Sequence, residues 1–351
     1  MSNAGIFTQK IPFALRAIKY LFAFNDPKLS QTIAGIDYVN PVGLSAGFDK
    51  EARLPKLMHA LGYSFTEVGS ITAKPYNGNP KPWYSRLPHT KSILVNSGLR
   101  SSGVNKIAKN ADRRLRNKYE DLVINVSVAK TNSAACNTVK KGIDDICSSL
   151  VRLEKSPWPK LYTINISCPN TIGGEPFNQP GNLSKLLSAI DKLNLTRPVF
   201  LKLPINLPWE QTKKLVDIAV NSSLTGLTLG NLSKDRSLVD KKDKLTDLQK
   251  GNLSGKPCWL ASNELLARCY TTYGRRFIYS GVGGIFTAED AYTKIKLGAS
   301  LVQVITGMIY GGPAIVGQIN KGVSELLARD GYKSISDAVG VDAKKYIKEL
   351  K

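Results

Sequence analysis

One short segment carries the residues most able to do chemistry: Asn165-Ile166-Ser167-Cys168-Pro169-Asn170-Thr171. A thiol, amides and hydroxyls meet there at the end of an apolar run, and Pro169 fixes one φ angle. Amide side chains can bind a carboxylate or a cyclic imide, and a thiol of pKa about 8.5 can abstract a proton when its surroundings stabilise the thiolate. The segment therefore predicts a functional thiol at Cys168, able to abstract or donate a proton among hydrogen-bonding side chains, and an inert buried thiol is the alternative.

The cysteines as a set show no pattern of a cross-link or a metal site. They are five, an odd number, without a Cys-x-x-Cys pair: Cys136, Cys147, Cys168, Cys258 and Cys269. Only two histidines accompany them. These facts argue against a disulfide framework or a structural zinc site, and they favour a reducing cytoplasm. We expect no bound metal.

Two lysines lie within or next to apolar runs, where a buried ammonium group would need a partner. Lys50 follows an apolar run closely, and Lys202 lies inside the run Phe200-Leu201-Lys202-Leu203-Pro204. Burying an unpaired ammonium is costly, and a bound anion or an electron-rich ring would offset that cost. Exposure at the surface is the alternative for both.

Small residues follow several of the apolar runs. Gly281-Val282-Gly283-Gly284 and Thr306-Gly307 follow the last two, and Ala46-Gly47 and Gly69-Ser70 end the first two. In an α/β barrel, loops after strands 7 and 8 commonly hold a phosphate group, because glycine lets backbone N–H groups approach it. The first pair of small segments would let a flat ring lie against the backbone.

The elements that must position these residues alternate regularly. Eight short apolar runs predict strands at 42–46, 65–70, 122–128, 162–167, 200–204, 224–229, 277–281 and 301–305. Helical patterns follow at 183–193, 209–221, 264–273, 288–297 and 315–329. This alternation predicts a parallel sheet, and eight units predict closure into a TIM (β/α)8 barrel. A doubly wound open sheet is the alternative.

The domain organisation is expected to be simple. Of 351 residues, 31–351 would form one barrel catalytic domain, and 1–30 a short N-terminal extension. Residues 11–24 of that extension predict one amphipathic helix with a basic edge, which fits either docking on the barrel or contact with a membrane surface. No apolar run of about 18 residues or cleavable signal is evident. We expect a cytoplasmic protein, with peripheral contact to the inner face of the cell membrane as one option.

Charge and loop length bear on partners. The net charge of +22 favours anionic partners such as nucleic acid, anionic lipid or small anions, and a solvated basic surface is the alternative. Two long connections, 72–110 and 230–256, are candidate covers for a substrate, or tolerated surface excursions.

Taken together, these segments resemble the dihydroorotate dehydrogenases from about residue 26 to the C-terminus. The densest matches are 40–50, 78–82, 165–171, 253–257, 281–284 and 298–303. The first, second, fourth and last of these look like class 2, the membrane-associated, quinone-reducing branch. The resemblance implies oxidation of dihydroorotate to orotate in pyrimidine biosynthesis, with flavin mononucleotide (FMN) reduced and then reoxidised by a quinone.

The resemblance also implies roles for particular residues. Those expected to contact FMN are Ala46, Gly47, Ser70, Asn125, Asn165, Lys202, Ser254, Gly255, Gly283, Gly284 and Thr306. Those expected to hold the substrate are Lys50, Asn96, Asn165, Asn170, Thr171 and Asn231. Cys168 would take a proton from C5 of the substrate while a hydride passes from C6 to flavin N5. Arg86 matches a basic residue at the quinone site.

The sequence departs from class 2 at several points. The loop Asn96-Ser97-Gly98-Leu99 is one residue shorter than the usual form, and Gly230-Asn231-Leu232-Ser233 replaces a Thr-rich run. Cys168 stands where class 2 usually has Ser, and Cys is typical of class 1; Ile305 stands where class 2 often has Tyr near the quinone. The extension supplies one predicted helix where class 2 typically has two. Fumarate or NAD therefore stay open as alternative electron acceptors.

Two other functions are compatible with parts of the sequence. Flavin-dependent tRNA dihydrouridine synthases are also basic barrels with a catalytic Cys, and a net charge of +22 would suit RNA. The chain after Gly312 leaves little room for a separate RNA-binding domain, so we expect no nucleic-acid partner. A barrel without catalytic activity, acting as a scaffold or membrane module, is the third reading.

Overall fold

The computed structural model describes residues 2–9, 11–116, 122–246 and 249–350. Its strands are β1 (Gln31–Ile33), β2 (Ile36–Tyr38), β3 (Val42–Leu44), β4 (Phe65–Ile71), β5 (Tyr84–Leu87), β6 (Ser92–Val95), β7 (Val123–Val128), β8 (Pro159–Asn165), β9 (Val199–Leu203), β10 (Gly226–Leu229), β11 (Asn252–Leu253), β12 (Ile278–Val282) and β13 (Leu301–Val304). Its helices are α1 (Ser2–Thr8), α2 (Pro12–Phe22), α3 (Pro55–Ala60), α4 (Val104–Leu115), α5 (Val139–Glu154), α6 (Pro180–Asp191), α7 (Trp209–Val220), α8 (Trp259–Tyr273), α9 (Ala288–Lys296), α10 (Thr306–Gly311), α11 (Ile315–Arg329), α12 (Ile335–Ala338) and α13 (Ala343–Glu349).

Eight parallel strands close into a barrel in the order β3, β4, β7, β8, β9, β10, β12 and β13, and β13 pairs with β3. Every residue of β4 and of β9 is buried, as expected for parallel strands that are covered on both faces. All eight predicted strands form the barrel, so the predicted TIM barrel is confirmed. The five predicted helices correspond to α6, α7, α8, α9 and α11.

The antiparallel pair β1 and β2 packs against residues at the amino ends of the barrel strands. Ile33 and Tyr38 pack against Phe65 and Leu301, and the rings of Tyr38 and Phe65 meet edge to face at 5.5 Å. This small apolar cluster covers the amino end of the barrel, which leaves the carboxyl end as the accessible one.

The two long connections are joined over the carboxyl end of the barrel. Strands β5 and β6 lie in the first connection, and β11 lies in the second; they form a three-stranded antiparallel sheet. Leu253 pairs with Leu94, and the backbone N–H of Ser254 donates to the carbonyl of Ile93 at 3.0 Å. The sequence predicted that these two connections cover the substrate, but it did not predict their strands. The pairing of β6 with β11 joins segments that are far apart in the chain, so no local pattern reveals it.

The N-terminal extension contains two helices, so the expectation of one helix was wrong. Helix α1 is too short to show a helical repeat, and it is held by contacts with the α3 region rather than by its own sequence. The side chain of Gln9, just after α1, donates to the carbonyl of Arg53 at 2.8 Å and accepts from the backbone N–H of Leu57 at 3.2 Å. Pro12 then begins α2, at a position where its missing N–H costs nothing.

Helix α2 both docks and remains partly exposed. Ile18 and Phe22 pack against the core, whereas Phe13 and Tyr20 are 81% and 89% exposed. Leu21 is also exposed. Within the described ranges, no helix has the length and hydropathy needed to cross a bilayer.

Candidate active site

The carboxyl ends of the barrel strands surround a cavity of about 1110 Å³, its open mouth included. The covering sheet contributes Tyr84, Ile93 and Val95 to its wall. Most of the predicted site residues line this cavity: Ala46, Gly47, Lys50, Ser70, Asn165, Cys168, Asn170, Lys202, Asn231, Ser254, Gly255, Gly283, Gly284 and Thr306. Residues from more than 250 positions of sequence thus converge on one pocket at the carboxyl ends of the strands, the position typical of a barrel active site.

Two predicted substrate residues lie beside the cavity rather than on its wall. The side-chain oxygen of Asn96 accepts from Nδ2 of Asn79 at 3.1 Å. The hydroxyl of Thr171 donates to the carbonyl of Gly174 at 2.6 Å. Both side chains are therefore engaged with neighbouring loop residues in this structure.

Asn125 and Arg86 also lie off the cavity wall. Asn125 is buried in the barrel on β7, and its side-chain oxygen has no partner among the described residues. Arg86 is exposed on β5, with its guanidinium 4.8 Å from the centre of the Tyr310 ring. Its strand neighbour Tyr84 does line the cavity, so Arg86 lies close to the rim.

Cys168 follows β8 and faces the cavity together with two ammonium groups. Burial raises the pKa of its thiol, whereas the backbone N–H of Asn170 and the charges of Lys50 and Lys202 oppose that rise. Lys50 donates to the hydroxyl of Ser97 at 3.2 Å. Burial lowers the pKa of Lys50 to about 8, although the nearby Cys168 works against this change. The site thus pairs a thiol with cations that favour its thiolate.

A continuous run of hydrogen bonds fixes the amides near the thiol. Asn231 donates to the hydroxyl of Ser167 at 2.7 Å, and Ser167 donates to the side-chain oxygen of Asn165 at 2.9 Å. Asn165 donates in turn to the hydroxyl of Ser70 at 2.8 Å, which lies 2.7 Å from the hydroxyl of Ser127. Neither Ser167 nor Ser127 had a role predicted from the sequence. Their positions could have identified them as site residues, because each lies at the carboxyl end of a barrel strand or just beyond it.

Asn170 connects the catalytic segment to the cover. Its side-chain nitrogen donates to the carbonyl of Val95 at 2.9 Å, and its side-chain oxygen accepts from Asn252 at 2.6 Å. Its backbone carbonyl accepts from Asn79 at 3.1 Å. Neither Asn79 nor Asn252 was singled out from the sequence, although both belong to the predicted covers.

The floor of the cavity has groups suited to a polar aromatic ring. Lys202 is only 4% exposed; burial lowers the pKa of its ammonium, and the carboxylate of Glu67 opposes this effect. Glu67 accepts from Nε2 of Gln303 at 2.5 Å, and the side-chain oxygen of Gln303 has no partner among the described residues. A buried cation and an unpaired amide oxygen fit a ring that carries both acceptors and donors, as an isoalloxazine does.

The wall beyond this floor is built from glycines whose backbone leaves no space for a side chain. Gly255, Gly283 and Gly284 have φ angles of 75°, 110° and 78°. A Cβ at Gly255 would lie 2.3 Å from the carbonyl oxygen of Lys91, and a Cβ at Gly283 would lie 2.8 Å from Cβ of Cys258. Gly283 and Gly284 follow β12, the seventh barrel strand, after which barrel enzymes commonly hold a phosphate, and Gly255 lies just before α8. The residues therefore fit a flavin that carries a phosphate group.

Comparison with known proteins agrees with this geometry. A family model described as "Dihydroorotate dehydrogenase" matches residues 28–327. A "Dihydroorotate dehydrogenase (quinone)" from Roseiflexus castenholzii is 33% identical over 340 residues, covering 96% of this chain and 90% of the relative. One from Anaeromyxobacter dehalogenans strain 2CP-C is 36% identical over 326 residues, covering 90% and 86%. A crystal structure of DHODH from Eimeria tenella in complex with ferulenol is 28% identical, with a TM-score of 0.82 over 94% of this chain and 95% of that one. The chain belongs to the dihydroorotate dehydrogenase family.

Proposed function

We propose that this chain oxidises dihydroorotate to orotate and passes the electrons to a quinone, with FMN as its bound flavin. The observation that carries the proposal is the meeting of the Cys168 thiol, the Lys50 ammonium and the Asn165 and Asn231 amides in one cavity. The relatives from Roseiflexus castenholzii and Anaeromyxobacter dehalogenans bear the word quinone in their names, which supports this acceptor over fumarate or NAD.

Each of these groups has a task that its chemistry allows. Lys50 binds the substrate carboxylate by a charge-assisted hydrogen bond. The amides of Asn165 and Asn231 bind the polar edge of the ring, in orientations set by Ser167. Cys168, as thiolate, accepts the proton from C5, and the two ammonium groups beside it stabilise the thiolate before the transfer. Asn96, Asn170 and Thr171 belong to the loops that enclose the substrate.

Dihydroorotate dehydrogenases are flavin-dependent, and FMN in particular is part of this proposal. When bound, FMN supplies the two-electron chemistry that accepts the hydride from C6. Ala46, Gly47, Ser70 and Lys202, with Asn125 and Asn165 nearby, would hold the ring. The glycine turns, with Ser254 and Thr306, would hold the phosphate, since the hydroxyl of Thr306 already donates to that of Ser254 at 2.8 Å.

We assign residues 1–30 to a membrane-facing extension and 31–351 to the catalytic barrel. The exposed side of α2 combines Phe13, Tyr20 and Leu21 with the exposed cations Arg16 and Lys19. Apolar side chains flanked by cations suit the surface of an anionic membrane, where a lipid-soluble quinone resides. Arg86, at the rim, is assigned to the quinone site.

A two-step anaerobic experiment tests the function. We expect dihydroorotate to bleach the flavin absorbance of the purified protein, and a ubiquinone or menaquinone analogue to restore it faster than fumarate or NAD does. Failure to bleach would overturn the substrate assignment. Faster recovery with fumarate or NAD would overturn the acceptor alone.

The exposed side of α2 allows a separate test of membrane contact. Changing Phe13, Tyr20 and Leu21 together to Gln should weaken binding to vesicles of anionic lipid by at least about tenfold, because apolar area no longer enters the bilayer. Cosedimentation measures this binding. Turnover with a long-chain quinone in those vesicles should fall, while anaerobic reduction by dihydroorotate should not change.

Deletion of residues 1–24 provides the matched, harsher variant. It should slow quinone reduction more than flavin reduction. An equal loss in both half-reactions would instead indicate a folding role, because Ile18 and Phe22 pack against the core.

A further inference from the structure

Lys294 is a buried cation that the proposed chemistry does not use. Its side chain on α9 is fully buried. The ammonium donates to the hydroxyl of Ser262 and to the side-chain oxygen of Asn263, each at 2.7 Å. None of the ion pairs among the described residues includes it. Burying an ammonium group without a carboxylate partner costs roughly several kcal/mol, so another favourable interaction is expected to offset this cost.

The side chain lies against the underside of the glycine turn after β12. A Cβ built on Gly281 would be 3.2 Å from Cδ of Lys294. A Cβ on Gly283 would be 3.3 Å from Oγ of Ser262, the group that accepts from the ammonium. Lys294 therefore lies directly against the end of β12 and reaches the turn after it through one hydrogen bond, to Ser262.

An aromatic ring forms a third link to the same turn. The Lys294 ammonium lies 5.1 Å from the centre of the Trp259 ring, within the range of a cation–π contact. A Cβ on Gly284 would be 2.8 Å from Cβ of Trp259. The lysine is thus close to the cavity wall but separated from the cavity by one layer of atoms.

The other charged groups around Lys294 leave it uncompensated. Lys256 pairs with Asp290 at 3.0 Å, and Asp290 also accepts from the backbone N–H of Phe286 at 2.8 Å. Burial raises the pKa of the Cys258 thiol to about 12, so that group is neutral at physiological pH. Below about pH 7, two ammonium groups and one carboxylate therefore leave one positive charge behind the turn.

We propose that Lys294 is the buried counter-charge for the phosphate group of the flavin and makes the site prefer FMN over unphosphorylated riboflavin. The inference rests on the proposed function. Lys294 acts as a positioning residue, since the glycine turn and Trp259 lie between it and the cavity. A charge acts over such a layer because the protein interior screens it far less than water does.

The preference for FMN should depend on pH in a defined direction. Burial lowers the pKa of Lys294 to about 7, although Cys258 and Asp290 work against that shift and Lys256 adds to it. A bound phosphate would raise this pKa again. The additional affinity for FMN over riboflavin is then fully present below about pH 7. It is lost as the pH rises through the raised pKa of Lys294. The phosphate itself is a dianion above a pKa of about 6, so it does not cause the decline.

The test compares FMN with riboflavin on the full-length chain after removal of its flavin. Dissociation constants are measured by quenching of flavin fluorescence for wild type, Lys294→Met and Lys294→Gln. Lys296→Met is the matched control, because Lys296 lies on the same helix but pairs with Asp342 at 2.6 Å near the surface. We expect both Lys294 variants to lose about tenfold in FMN affinity with little change for riboflavin, and the control to match wild type.

The possible outcomes separate the inference from the function it rests on. An unchanged preference in Lys294→Gln, which keeps a hydrogen-bond donor without the charge, would overturn the inference. An equal loss for both flavins would also overturn it, since that result indicates packing alone. If Lys294→Met does not fold, two measurements replace it. One is the affinity of Lys294→Gln for each flavin, and the other is the preference of wild type for FMN over riboflavin between about pH 6.5 and 9. Wild type that binds neither flavin would overturn the proposed function.

Discussion

Replacing Cys168 by Ala is expected to slow reduction of the bound flavin by dihydroorotate about a hundredfold to ten-thousandfold at neutral pH. The substitution removes the only thiol or hydroxyl that we assign as acceptor of the C5 proton, while the flavin stays bound through other residues. Anaerobic stopped-flow absorbance measures the rate in a single turnover. An unchanged rate would refute the assignment of Cys168 as the base.

Two further variants separate the thiol from its surroundings. Cys258→Ser is the matched control, because Cys258 also lines the cavity but its thiol donates to the carbonyls of Asn231 and Leu253, which a hydroxyl could equally do. It should reduce at close to the wild-type rate. Cys168→Ser should retain some activity with a pH profile shifted upward, because a hydroxyl is the weaker acid. Identical profiles for Ser and Cys would argue against direct proton transfer.

The second large effect is expected from Lys50→Met. Losing a charge-assisted hydrogen bond in a buried site costs about 2–4 kcal/mol, so the dissociation constant for dihydroorotate should rise roughly thirtyfold to a thousandfold. The dependence of the stopped-flow rate on substrate concentration measures this constant. Lys81→Met, which removes an exposed cation from the cover, is the control for charge alone and should bind substrate normally.

The same variant should change the pH profile. In wild type, the rate divided by the dissociation constant should stop rising near pH 8, because the gain in Cys168 thiolate is then offset by loss of the Lys50 ammonium, whose pKa is lowered to about 8 by burial. In Lys50→Met the same ratio should keep rising until the thiol itself has titrated. A plateau near pH 8 in the variant would contradict the assignment of that pKa to Lys50.

The barrel could be predicted because its signals are local. Each of its strands is a short buried run, such as Phe65–Ile71, and a polar turn and a helical pattern follow it. The covering strands β5, β6 and β11 could not be predicted in this way, because residues such as Leu94 and Leu253 pair across more than 150 positions of sequence. Helix α1 was missed because its seven residues are too few to show a helical repeat.

The site residues likewise include some that the sequence could identify and some that it could not. Lys50, Lys202 and Cys168 could be found from their types and their positions at strand ends, and the family resemblance supplied their roles. Ser167 was overlooked because its importance lies in its partners, Asn165 and Asn231, which no spacing reveals. Lys294 did leave a trace in the sequence: it falls on the same helical face as Ala291 and Ile295, where a buried apolar side chain is expected.

The way the cover is joined has a consequence for the segment that carries the base. Backbone hydrogen bonds between β6 and β11 tie the two long loops into one body, so neither can lift alone. The segment that carries Cys168 is joined to this body through Asn170, by two hydrogen bonds of its side chain and one of its backbone carbonyl. Lifting the cover would break these hydrogen bonds and leave the segment that carries Cys168 without its contacts to the cover. The hydrogen bonds of Asn170 thus serve two purposes, because they hold the cover over the cavity and also fix the segment that carries the base.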